Sequence, residues 1–277
     1  MTAPTTSPLR TKLGAAVAMA MLVAATTAVA SPKPGSRPPV AETTFESVDS
    51  VVAAQWDFPA EGNAPLVLLV PPAGRIDRHG SLPDTGNEGD DGIYARLTDL
   101  LVSNGFAVFR YDAPGAGRSS PGRYATDRST ALEAYRRAVD HARIDASRVF
   151  LIGHSSGTGT IAGIYPRYED INPVAGVVLL SNQVGERAAV RITAPTLVVV
   201  GDEAPEDRFQ FGEFVADARK NEPGSKLATK LVVIKDAPHA LLAQTSKRSD
   251  TVFSIDPRAT KAILRWLMEK RGFAHAP

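Results

Sequence analysis

The sequence predicts an α/β domain built on a mostly parallel central sheet with helices on both faces. Three observations carry that prediction. Apolar runs of strand length recur at Pro65–Val70, Phe106–Tyr111, Val149–Gly153, Pro173–Leu180 and Pro195–Val200, and none alternates apolar with polar residues, as half-buried strands do. Segments of helical periodicity separate them, so strand and helix alternate along the chain. The central run then breaks into Gly153-His154-Ser155-Ser156-Gly157, followed by small residues that continue as a helix through Tyr165. A strand, a tight turn and a helix in that order present a serine at a sheet end.

Met1–Ala30 reads as a secretory signal. Arg10 and Lys12 form a positive start, Leu13–Ala25 an apolar stretch, and Ala28-Val29-Ala30 a small-residue cleavage site before Ser31. The apolar stretch is short for a span, so the expected product is extracytoplasmic, secreted or periplasmic, with no stable membrane anchor. The chain has 277 residues and no cysteine, which rules out a lipid-linked N-terminus and a disulfide framework. Lys and Arg number 31 against 30 Asp and Glu, so net charge points to neither nucleic acid nor an acidic substrate. Residues 31–42, with Pro32, Pro34, Pro38 and Pro39, read as an extended leader, and 43–277 as one domain.

Within that domain Thr43–Phe58 suggests two short strands in a hairpin at the sheet edge, with Val51, Val52 and Trp56 inward. Residues 81–92 are too rich in Gly, Asp and Asn for anything but a surface loop. Asp84, Glu88, Asp90 and Asp91 lack the ligand order of a calcium loop, and no metal or cofactor is expected. Tyr94–Val102 is helical and stops at Asn104-Gly105. Gly115 and Gly117 are not a nucleotide motif, since a third glycine and a downstream acid are missing. Asp127 or Ser129 can cap a helix running through His141, whose place near the helix end suits a dipole or surface role. Phe209–Arg219 and Pro257–Lys270 are the remaining helices, the last with Ile263, Leu264, Trp266 and Leu267 toward the sheet. Lys230–Ile234 is the final strand.

In a sheet of this kind ligands meet the carboxyl ends of the strands, and Gly74, Ser155, Gly201 and His239 all fall there. Ser155 is the candidate nucleophile. A serine hydroxyl attacks a carbonyl at neutral pH only with a base beside it, and His239, in the loop after the last strand, is the candidate. The Ser156 amide at a helix N-terminus suits a developing oxyanion. The loop Pro71–Gly80 is expected to supply a second donor near Gly74 or Arg75. His154 precedes the serine and points away along the turn, which makes it structural.

Over essentially the whole of its expected mature length the chain resembles the α/β-hydrolase family. It looks most like bacterial esterases whose oxyanion loop reads G-x-x-D-R-x-G, here Gly74 to Gly80, and whose next strand ends in D-x-x-G-x-G-x-S, here Asp112 to Ser119. The resemblance implies the α/β-hydrolase fold, Ser155 as nucleophile, His239 as base, and oxyanion donors at Ser156 and at Gly74 or Arg75. Two departures stand out. Ser181–Ala194 is too short for the helical cap that relatives insert, so the site is expected to lie open with no sizeable lid. Where the family places its acid the chain has Ala204. Asp202, Glu203, Glu206 and Asp207 remain, with Asn182 and Glu186 farther off. Asp202 faces the same side as position 204 in an extended chain, and Asp207 has the spacing of a capping box with Gln210, so Asp202 ranks first, Asp207 second, and an acid-free dyad remains open.

The expected activity is hydrolysis of a small-molecule carboxylic ester through an acyl-enzyme. A peptidase or acyltransferase using the same residues, and a non-catalytic binding protein of this fold, are the alternatives.

Overall fold

The computed structural model describes residues 40–60, 62–74, 76–82, 89–223, 227–244 and 252–272. The expected signal, residues 1–30, and residues 31–39 of the expected leader lie outside them, as do Arg75, Asp84 and Glu88.

The first strand, β1, is Val40–Ser47, so residues 40–42 belong to the sheet and not to the leader. It pairs antiparallel with β2, Ser50–Asp57, giving the expected edge hairpin. Val52 and Trp56 point into the core as expected, but Val51, on the opposite face of β2, is 50% exposed. Then come β3 (Ala64–Val70), a short 3-10 turn at Gly89–Asp91, α1 (Ala95–Ser103), β4 (Ala107–Tyr111), α2 (Asp127–Val139), β5 (Ile144–His154) and α3 (Ser156–Glu169). Next are β6 (Gly176–Leu180), the single turn α4 (Glu186–Ala189), β7 (Thr196–Gly201) and α5 (Pro205–Arg208), which runs through a π turn at Phe209–Glu213 into α6 (Phe214–Lys220). The chain continues through β8 (Thr229–Ile234), a small hairpin of β9 (Leu242–Gln244) and β10 (Phe253–Ile255), and α7 (Pro257–Lys270).

Among the described residues one sheet has the order β1-β2-β4-β3-β5-β6-β7-β8. From β4 to β8 every pair is parallel. Successive residues of β3 enter opposite cores. Leu66, Leu68 and Val70 pack with Leu132 and Tyr135 of α2 and Ile161, Tyr165 and Tyr168 of α3, while Val67 and Leu69 pack with Leu97 and Leu101 of α1 and Ile263, Trp266 and Leu267 of α7. Burial on both faces is why these strands show no two-residue alternation.

The cap of α2 differs from the expectation. Thr126 is the N-cap and accepts from the Ser129 amide, while the Ser129 hydroxyl accepts from the Thr126 amide, a reciprocal capping box. His141 lies beyond the helix, its ring 4.6 Å from that of Trp56 and 5.0 Å from that of Phe58.

One buried ion pair anchors the loops after β3 and β4, and a second joins β2 to β4. Arg78 Nη1 donates to Asp112 Oδ2 at 2.7 Å and the Arg78 amide donates to Asp112 Oδ1 at 2.7 Å, while Arg110 Nη2 donates to Asp57 Oδ2 at 2.8 Å. The two sequence motifs, at residues 74–80 and 112–119, are thus one unit, with Arg78 of the first closed on Asp112 of the second.

Candidate active site

The turn after β5 carries Ser155 at φ 52°, ψ −122°, a strained conformation for a residue with a Cβ. Its amide donates to the Leu180 carbonyl at the end of β6, 2.9 Å away. The turn is tight because its neighbours have no side chain. A Cβ on Gly153 would stand 2.8 Å from the Thr158 nitrogen, and one on Gly157 would stand 2.5 Å from the Val70 carbonyl oxygen. Ser155 is therefore held up, half-exposed, at the carboxyl edge of the sheet.

His239 comes to it from the loop after β8. That loop is framed by two left-handed residues, Asp236 at φ 53° and Leu241 at φ 51°, and closed by the Leu241 amide donating to the Pro238 carbonyl at 2.9 Å. It presses on the end of β7, where the Glu203 amide donates to the Ala237 carbonyl at 3.1 Å. His239 Nε2 lies 3.4 Å from Ser155 Oγ, a loose contact of the kind that tightens when substrate arrives.

On the other ring nitrogen the structure corrects the expected acid. His239 Nδ1 lies 2.8 Å from Asp207 Oδ1, and the Asp207 side chain is only 8% exposed. Asp202 turns the other way, its Oδ1 accepting from the Asp236 amide at 2.6 Å. Pro205 explains the exchange. Its fixed φ starts α5 with Ala204 as N-cap, so Asp207 falls in the first turn, facing the His239 loop, and the capping box expected with Gln210 does not form. Asn182 secures that helix. Its Nδ2 donates to the Phe211 carbonyl in the π turn at 2.7 Å and to the Val184 carbonyl at 3.0 Å.

The loop after β3 also differs in detail. Pro71 and Pro72 carry no N–H, so Ala73 is the first residue past the strand that can donate. Its amide donates to Ser156 Oγ at 2.7 Å. Gly74, at φ 112°, makes the bend that follows, and Ala73 rather than Gly74 supplies the contact with the elbow. Arg75 lies outside the described residues.

One residue at the site has no sequence signal. Gln183, after β6, places Nε2 3.1 Å from His239 Nε2. By contrast His154 is structural, as expected. It is buried, its Nδ1 lies 2.9 Å from the Tyr94 hydroxyl and its Nε2 3.2 Å from the Ala240 carbonyl, and burial pushes its pKa down to about 4.

A serine on a sharp turn after the fifth strand, a histidine after β8, the last strand of the main sheet, and a carboxylate between them in the chain complete the pattern. The chain has the α/β-hydrolase fold. A family model described as serine aminopeptidase, S33, matches residues 86–204, which include the serine turn but stop short of Asp207 and His239. No curated protein sequence matches the chain. Among solved structures it is similar to Est1E from Butyrivibrio proteoclasticus with bound ferulic acid, at TM-score 0.58 and 16% identity over 83% of this chain and 100% of that one. It is also similar to a dienelactone hydrolase from Anabaena variabilis, at TM-score 0.57 and 16% identity over 85% and 97%. A proline iminopeptidase from Mycobacterium smegmatis gives TM-score 0.57 and 12% identity over 83% and 99%.

This α/β-hydrolase fold carries no large insertion between β6 and β7. Arg219, fully buried on α6, ties the short connection down by donating to the carbonyls of Ala189, Ile192 and Ala194. The histidine side chain is 34% exposed, so the site opens to solvent.

Proposed function

We propose that the chain is a serine hydrolase acting on carboxylic esters through an acyl-enzyme on Ser155. The observation that carries the reading is the continuous line from Ser155 Oγ through both nitrogens of His239 to Asp207. Asp207 accepts from Nδ1, which fixes the tautomer with a lone pair on Nε2. Nε2 takes the Ser155 proton as Oγ attacks the carbonyl carbon, and Asp207 stabilises the imidazolium. The carbonyl oxygen, now negative, is received by the Ser156 amide and by the Ala73 amide, which exchanges its bond to Ser156 Oγ for one to the oxyanion. The imidazolium then protonates the leaving alcohol, and water repeats the sequence to release the acid.

Carboxylic esters are favoured as substrates because the Ser155–His239 pair attacks an acyl carbon, and an alcohol oxygen leaves that carbon more readily than an amine nitrogen does. The carboxylic acid bound in one similar structure and the dienelactone hydrolase among the others support that preference. An aminopeptidase reading is favoured instead by the family model. Purified protein assayed on a panel of short-chain esters and on aminoacyl amides tests the choice. Ester turnover exceeding amide turnover by several orders of magnitude is expected, and the reverse ratio would make the chain a peptidase.

Export through a cleaved segment ending at Ala30 is part of the same proposal. It rests on the three-part N-terminal pattern. No helix among the described residues is long and apolar enough to cross a membrane. N-terminal sequencing of exported material should begin at Ser31, and an intact Met1 in the membrane fraction would overturn it.

A further inference from the structure

His239 Nε2 faces two donors. Because Nδ1 gives its proton to Asp207, Nε2 carries a single lone pair, yet Ser155 Oγ stands 3.4 Å and Gln183 Nε2 3.1 Å from it. A lone pair requires a donor opposite, so the amide of Gln183 presents its NH2 and not its carbonyl.

The backbone holding Gln183 is fixed on every side. Ser181 is left-handed at φ 51°, which turns the chain sharply off β6. Asn182 is fully buried, and its Oδ1 accepts from the Val184 amide at 2.9 Å while its Nδ2 makes the two bonds given above. The Gln183 amide donates to Thr158 Oγ1 at 3.2 Å, and that hydroxyl donates to the Ser155 carbonyl at 2.6 Å. The backbone of Gln183 is thereby tied to the residue that carries the nucleophile, while its side chain is exposed and free to leave the imidazole. Strained backbone with over-determined neighbours is characteristic of functional positions.

We propose that Gln183 is a leaving-group residue, an inference that rests on the ester-hydrolase reading. In the acylation step the bond from Ser155 Oγ to the carbonyl carbon forms. The bond from that carbon to the alcohol oxygen breaks, and the oxygen takes the bonding pair and the proton held on His239 Nε2. That oxygen must come within hydrogen-bond distance of Nε2, the atom the Gln183 amide already touches. As substrate enters, the amide gives up the base and donates to the departing oxygen. The bond matters most for a basic alkyl oxygen, whose developing charge stays localised on that atom until the proton from Nε2 arrives, and least for a phenolate, whose charge spreads into the ring.

The test holds the acyl group constant and varies the alcohol. Acetate esters of p-nitrophenol, phenol, trifluoroethanol and ethanol are compared by kcat/KM, which reports acylation alone, for the wild type, Gln183→Ala and Gln183→Met. Methionine keeps the length and removes the donor. Both variants are expected to stay within about threefold of wild type on p-nitrophenyl acetate and to lose about tenfold on the alkyl esters, the worth of one hydrogen bond to a charged atom. A steeper dependence on leaving-group acidity supports the proposal. An unchanged dependence, with wild type active, overturns it and leaves the hydrolase reading intact, and an equal loss on every ester makes Gln183 merely structural. A wild type that turns over none of these esters overturns the ester-hydrolase reading, and this inference with it.

Discussion

Asp207 reaches His239 Nδ1 at 2.8 Å from the first turn of a helix, through a side chain almost wholly removed from water. Within that shielded contact a carboxylate acts on the imidazole at low effective dielectric, where charge pairing is strongest. Asp202, five positions earlier, serves the same histidine indirectly by fixing the turn at Asp236 from which the His239 loop departs.

The two carboxylates should therefore separate cleanly. Asp207→Asn is expected to cost about 10⁴-fold in turnover, the loss typical of an imidazole left in the wrong tautomer. Asp202→Asn should leave turnover within about tenfold and cost about 1 kcal/mol of stability. Steady-state kinetics and thermal melts of both variants check this. Equal activity losses would show that the acid acts otherwise than by contact with Nδ1.

Nucleophile and base act as a unit. Ser155→Ala and His239→Ala should each remove ester turnover by about a millionfold. Ser155→Gly should be equally inactive but more stable, since glycine adopts φ 52° without strain. A gain of about 1 kcal/mol is expected, which in a domain of this size raises Tm by about 2–4 °C. A lower melting temperature for the glycine variant would mean that the turn is unstrained.

His154 sets a pH limit on stability. Burial holds its native pKa at about 4, against 6.5 in the unfolded chain. Above pH 6.5 both states are neutral and the residue contributes nothing to the pH dependence. As pH falls from 6.5 toward 4 the unfolded state gains a proton that the native state refuses, so stability drops, by about 3 kcal/mol in all. Below pH 4 both states are protonated and the slope from this residue ends. Imidazole titration followed by NMR, alongside melts from pH 8 to 4, checks the window. A His154 signal titrating near 6.5 would contradict it.

The union of Arg78 with Asp112 should govern the loop that follows β3. Asp112→Ala removes the acceptor of the Arg78 side chain and of the Arg78 and Arg118 amides, leaving a buried guanidinium with Glu42 as its one carboxylate partner among the described residues. A loss of about 3–5 kcal/mol is expected in chemical denaturation. A variant within 1 kcal/mol of wild type would show that the pair is dispensable.

How much of this was written in the sequence differs from residue to residue. The parallel strands are legible because burial on both faces leaves uninterrupted apolar runs. Ser155 and His239 are legible because each follows its own strand directly, so their positions depend on local order alone. Asp207 is harder, since an extended chain past Gly201 would aim Asp202 at the histidine. Only the start of a helix at Pro205 turns the next carboxylate toward it, and that proline is the signal that could have found it. Ala73 had a similar cue in the two prolines before it. Gln183 had none, because its placement depends on the side chain of Asn182 and the hydroxyl of Thr158, which come together only in the folded chain.

The most direct test of the account is covalent labelling of the full-length chain and of residues 31–277 with a fluorophosphonate, read by intact mass and peptide mapping. One equivalent of phosphonate on Ser155 is expected, absent from Ser155→Ala and His239→Ala and formed far more slowly in Asp207→Asn. Folded wild-type protein that takes up no phosphonate, or carries it on a residue other than Ser155, would contradict the account.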